Sequence, residues 1–120
     1  MDIIIATSST DLRIALEIMI REEPGVSIVG TTSESEGLCA LIETACPDVV
    51  LLDSELAGLS YTQVLAKVHT SKIPPKIVVL GKYLHTRETA LQAGADEYVV
   101  IGDPPENLLR TFHRLNVPKV

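Results

Sequence analysis

The sequence predicts a doubly wound α/β domain, a parallel sheet with helices on both faces, and three observations carry that reading. Five short runs rich in Ile and Val recur along 120 residues, four of them almost continuously apolar. Amphipathic helical stretches separate the runs, and the connections are only a few residues long. A continuous apolar run marks a strand covered on both faces, whereas a half-exposed strand alternates with period two. Strict alternation of strand and helix with short connections implies right-handed crossovers and an open parallel sheet.

The first strand is Ile3-Ile4-Ile5, and a helix over 10–23 follows, where Leu12, Leu16 and Met19 keep one face and Ile14 and Ile18 widen it. Ser8 and Asp11 stand at capping-box spacing, and Pro24-Gly25 stops that helix. Val26-Ser-Ile-Val29 is the second strand, leading to a helix over 36–46 with Leu38, Leu41, Ile42 and Ala45 on one face and Pro47 at its end. Val49 to Leu52 is the third strand, followed by a helix over 61–70 carrying Val64, Leu65 and Val68. Ile77 to Leu80 and a helix over 86–93 come next, then Tyr98 to Ile101 and a helix over 106–115 with Leu108, Leu109, Phe112 and Leu115 inward. For five such βα units the flavodoxin-like strand order 2-1-3-4-5 is expected, with functional groups at the carboxyl ends of strands 1, 3 and 4 or 5. Residues 1–120 read as one domain, with 116–120 as the start of a linker to a C-terminal effector domain.

Composition narrows the function. With 46% hydrophobic and 22% charged residues the chain is of globular type. A net charge of -6 repels nucleic-acid phosphates and anionic lipid, so this domain itself is expected to bind neither DNA nor membrane. Cys39 and Cys46 lie seven residues apart in a helical stretch, about 10 Å and too far to bridge, so two buried reduced thiols are expected. No apolar run reaches the ~20 residues of a membrane span, and Met1 to Ala6 lacks the basic region of a signal peptide. The expected location is the cytoplasm.

Asp53 is the foremost candidate for chemistry, because it ends the most hydrophobic strand and precedes the Gly-containing loop Leu56-Ala-Gly58. His69, His85 and His113 fall in three separate elements without metal-ligand spacing. Gly94-Ala-Asp-Glu follows a helix and precedes a strand, the reverse of a dinucleotide fingerprint. No serine or cysteine is placed with a base by any motif, so no enzymatic activity is expected.

The segment Pro47-Asp-Val-Val-Leu-Leu-Asp53-Ser-Glu-Leu-Ala-Gly58 resembles the acceptor segment of bacterial response-regulator receiver domains. Ala90-Leu-Gln-Ala-Gly-Ala-Asp96-Glu-Tyr98-Val-Val is similar to their helix-4 and strand-5 signature, and Gly102-Asp-Pro-Pro-Glu106-Asn-Leu-Leu resembles the NarL/LuxR-type subgroup, whose members carry a C-terminal helix-turn-helix. The resemblance implies that Asp53 stands at the phosphoacceptor position. It also exposes departures. Where a receiver has a pair of acidic residues to hold magnesium, this chain has Thr7 and Ser8, whose hydroxyls read better as helix caps. Where the family places Ser or Thr after strand 4, Gly81 has no side chain, and the strand-5 Lys is matched by Ile101. Inverting a 1:99 two-state population takes about 5.5 kcal/mol of differential binding, and hydrogen bonds to charged groups contribute ~1.5–3 kcal/mol each. Losing the Lys, the hydroxyl and the metal removes most of that drive.

The expectation is therefore a degenerate receiver that binds magnesium weakly or not at all, needs no cofactor, and signals by protein contact. A second reading keeps a working magnesium-dependent phosphoacceptor of a two-component system, with Asp11 or Glu55 as the missing ligand and a histidine kinase as donor. A third is a receiver-like adaptor fused to an ATPase involved in localisation. At the site edge, Lys82 either is a solvated lysine or leans toward Asp53 and partly replaces the absent cation. The resemblance implies a partner face formed by helix 4, strand 5 and helix 5, with Tyr98 as an aromatic switch residue. Without a hydroxyl at 81 that aromatic should rest in one rotamer. Thr86, Arg87, Gln92, Phe112 and His113 should then build a constitutive contact surface, most simply a homodimer, here rather than on helix 1; the alternative is that Tyr98 and Phe112 simply pack against the sheet.

Overall fold

Hydrogen bonding joins five parallel strands in the order β2-β1-β3-β4-β5, the order expected from the sequence. The computed structural model describes residues 1–115; the linker expected at 116–120 lies outside them. The elements are β1 (Asp2–Ala6), α1 (Thr10–Arg21), β2 (Ser27–Thr32), α2 (Ser35–Ala45), β3 (Val49–Asp53), α3 (Tyr61–Val68), β4 (Lys76–Gly81), a 3₁₀ turn (Leu84–Thr86), α4 (Arg87–Gln92), β5 (Glu97–Val100) and α5 (Pro105–Leu115).

The apolar runs divide by parity, because successive strand residues face opposite sides. Ile4, Val50, Leu52, Ile77 and Val79 pack under α2, α3 and α4 with Leu38, Ile42, Val64, Leu65, Ala90 and Tyr98. Ile3, Ile5, Val49, Leu51, Val78 and Leu80 pack under α1 and α5 with Leu16, Ile20, Leu108 and Phe112. β3 is buried at all five positions because it lies at the centre of the sheet.

Several local expectations are corrected. β2 begins at Ser27 and continues through Gly30, Thr31 and Thr32, because pairing with β1 runs on to Ala6 and Thr32. As an edge strand it alternates in exposure, so polar residues suit its open positions. α1 buries only the stripe of Leu16 and Ile20; Ile14 and Ile18 are 44% and 59% exposed, since a helix lying on a sheet covers a narrow arc. Its N-cap is Ser9, whose side chain accepts from the Leu12 amide; Asp11 sits in the first turn and makes no capping box. α4 is a six-residue helix entered through the 3₁₀ turn. The cysteines are not a buried pair. α2 ends at Ala45, so Cys46 is an exposed C-cap in the left-handed region (φ 44°), while Cys39 is half-buried beside Leu38.

Candidate functional site

Asp53, the last residue of β3, is 6% exposed at the carboxyl edge of the sheet. Its Oδ2 accepts a hydrogen bond from Thr7 Oγ1 at 2.6 Å, and its Oδ1 accepts one from the Glu55 amide at 2.9 Å. Thr7 is itself 3% exposed and its oxygen accepts from the Ser9 amide at 3.1 Å. A buried carboxylate is tolerable only when its oxygens are bonded, and here each oxygen has a donor from the protein.

Ser8 faces away from Asp53. Its hydroxyl donates to the Ser33 carbonyl at 2.8 Å and accepts from the Ala57 amide at 3.0 Å, tying the loop after β1 to those after β2 and β3. Ser35 strengthens the same seam, accepting from the Leu59 amide at 2.9 Å while its own amide donates to Ala57. Neither Thr7 nor Ser8 caps α1, contrary to the sequence expectation; Ser9 takes that place, and the neighbouring hydroxyls are free to bond across loops. Three adjacent hydroxyl residues, Ser8, Ser9 and Thr10, are each plausible caps by type, and only the backbone path decides among them.

Lys82 follows β4 at the site edge, but its Nζ lies 3.0 Å from Glu55 Oε2 rather than pairing with Asp53. The Glu55 carboxylate, through its hydrogen bond and then its charge, raises the Lys82 pKa above the ordinary 10.5, with Asp53 the smallest contributor. A cation whose pKa rises on folding adds stability below its unfolded value and loses it as pH climbs through the folded one, so the pair's stabilising contribution falls above about 10.5. Both partners are more than half exposed, and such pairs contribute little. Asp11 is exposed in the first turn of α1. Among the described residues no three His, Cys, Asp or Glu side chains are placed to hold one metal ion.

Gly81 closes β4 and is buried. A Cβ there would fall on the hydroxyl of Tyr98, which is 4% exposed and points inward. That hydroxyl donates to the Tyr83 carbonyl at 2.6 Å and is hydrogen-bonded to Thr86 Oγ1. Ile101 is half-buried and packs into the α1–α5 layer beside Leu12 and Met19. Tyr98 and Phe112 are therefore not surface anchors. Phe112 is 1% exposed because α5 turns it, with Leu108 one turn earlier, onto the sheet. What the α4–β5–α5 face does present is Arg87, Arg110 and Arg114 around a shallow groove with Leu84 and Asp103. Arg114 is held by Glu97 at 3.2 Å, and Arg110 donates to Asn107 Oδ1 at 2.8 Å. Tyr83 and Leu84, 59% and 68% exposed, stand on the loop leading to this face. Their signal in the sequence is a Tyr-Leu pair just past a strand end, outside either helical or strand periodicity.

Residues 3–111 match the model of a family described as the response regulator receiver domain. The chain is 32% identical over 105 residues to the nitrate/nitrite response regulator protein NarL of Escherichia coli (strain K12), covering 86% of this chain and 49% of that protein. It is 29% identical over 91 residues to a protein-glutamate methylesterase/protein-glutamine glutaminase 2 of Burkholderia thailandensis, covering 76% of this chain and 26% of that one. The chain thus spans about half or less of the length of these curated relatives. Among solved structures, a DNA-binding response regulator of the LuxR family from Staphylococcus aureus superimposes with a TM-score of 0.86 at 27% identity, over 97% of this chain and 98% of that one.

Proposed function

The chain belongs to the response regulator receiver domain family, and within it we propose a module that signals through protein contact without phosphoryl transfer. The observation that carries this reading is the environment of Asp53, whose two oxygens are taken by the Thr7 hydroxyl and the Glu55 amide. The donor set does not fit magnesium. That ion favours octahedral oxygen ligands with one or two carboxylates, yet Thr7 turns its proton toward Asp53 and Glu55 is engaged by Lys82. Nor does Ile101 offer a cation to a phosphoryl group.

On this reading the domain is not an enzyme, uses no cofactor, and regulates a C-terminal DNA-binding domain of the kind named for the LuxR-family neighbour. The test is to add magnesium with acetyl phosphate. Amide shifts around Asp53 should not change saturably at millimolar metal, and intact mass should show no phosphoryl adduct; either change would establish the working phosphoacceptor instead.

The contact surface we assign is the α4–β5–α5 face, with Arg87, Arg110 and Arg114 as its polar anchors, since Arg is enriched among residues that dominate binding. A homodimer is the simplest occupant. Arg87→Glu should reduce the sedimentation coefficient from dimer toward monomer, or weaken capture of the partner at least tenfold (about 1.4 kcal/mol). No change in either measurement would place the interface elsewhere.

A further inference from the structure

Ile77, Val79 and Gly81 occupy alternate positions of β4 on one side of the sheet, the side covered by α3 and α4. Tyr98 of β5 pairs with Val79 and packs on that same side, so its ring extends over the position where residue 81 would carry a side chain. Any residue but glycine would collide there with the tyrosine hydroxyl. Seated over Gly81, the hydroxyl donates to the Tyr83 carbonyl at 2.6 Å and accepts from Thr86 Oγ1, which also lies 2.8 Å from the same carbonyl. Two buried or half-buried hydroxyls thus converge on one backbone oxygen, at the start of the 3₁₀ turn that enters α4.

We infer that Gly81 and Tyr98 form an interlock that holds the β4–α4 loop in one arrangement whatever the state of Asp53, keeping Tyr83, Leu84 and Arg87 permanently displayed for the partner. The inference rests on the reading of the α4–β5–α5 face as the contact surface. A switch requires two arrangements close in free energy. Here the outward arrangement of Tyr98 would empty the space over Gly81, expose a buried ring and release both hydrogen bonds to the loop. Asp53 has no direct hold on this assembly, because its hydrogen-bond partners are Thr7 and Glu55 and neither bonds Tyr98, Tyr83 or Thr86.

NMR of the 120-residue chain tests the interlock. The wild type should show contacts from the Tyr98 ring to the Gly81 α-protons and from its hydroxyl proton to Thr86. Asp53→Asn, and separately beryllofluoride with magnesium, should leave these contacts and the amide shifts of 83–86 in place. Gly81→Ser should abolish the Tyr98–Thr86 contact and shift those amides, and Tyr98→Phe should shift the same amides while leaving those of Thr7 and Glu55 still. If Gly81→Ser alone does not fold, Gly81→Ser with Tyr98→Ala removes the collision and should fold with the 83–86 amides shifted. Retention of the Tyr98–Thr86 contact in Gly81→Ser, unshifted 83–86 amides in the double variant, or movement of the loop in Asp53→Asn, would overturn the interlock. Beryllofluoride shifts confined to Asp53 and Glu55 would overturn the phosphorylation-independent reading and leave the interlock standing. Shifts that reach 83–86 would overturn both.

Discussion

Phe112→Ala is expected to cost about 3–5 kcal/mol of folding stability, the range for removing a fully buried phenylalanine from a packed core. At 1% exposure its ring fills the layer between α5 and the sheet, among Ile3, Ile5, Val78 and Leu80. Domains of this kind are stable by about 5–15 kcal/mol in all, so the variant should unfold at much lower urea, if it folds at room temperature. His113→Ala, one residue on and exposed, should stay within about 1 kcal/mol apart from its 2.8 Å contact with Glu23. Urea titration followed by circular dichroism separates the two. A small loss for Phe112→Ala would return that residue to the surface role its sequence position suggested.

Asp53→Ala is expected to destabilise the domain as well, by about 1–3 kcal/mol for each buried donor it strands. The Thr7 hydroxyl and the Glu55 amide would both lose their acceptor. Asp53→Asn keeps an acceptor oxygen for one of them and should lose roughly half as much, by the same reasoning. On the reading of Asp53 as a structural carboxylate, partner affinity should be unchanged in Asp53→Asn, as measured by titration calorimetry. A stable Asp53→Ala variant with lost partner binding would instead mark Asp53 as the signalling group.

How much of this was legible beforehand depends on how local each signal is. β1, β3 and β4 were readable because both of their faces are covered, which leaves an uninterrupted apolar run. The carboxyl-terminal half of β2 was not, since an edge strand tolerates Gly30, Thr31 and Thr32 and these look like a loop. Asp53 could be singled out from its place at a strand end. Its partner could not, because Thr7 reaches it across 46 residues of chain. The seat of Tyr98 was also hidden: Gly81 read as a lost hydroxyl, whereas in three dimensions it is room for a ring from the neighbouring strand. Lys82 found the nearer carboxylate of Glu55, a choice that a sequence pattern has no means to weigh.

The seam made by Ser8 changes how the carboxyl edge of the sheet breathes. Loops at such an edge ordinarily open by themselves, at a free energy well below that of global unfolding. Here one hydroxyl joins three of them, holding the Ser33 carbonyl on one side and the Ala57 amide on the other. Lifting any one loop therefore breaks a hydrogen bond to its neighbour, so the three are linked, although water can replace each partner at these exposed positions. Hydrogen exchange at the Ala57 amide therefore reports the opening of this seam, and Ser8→Ala should speed it.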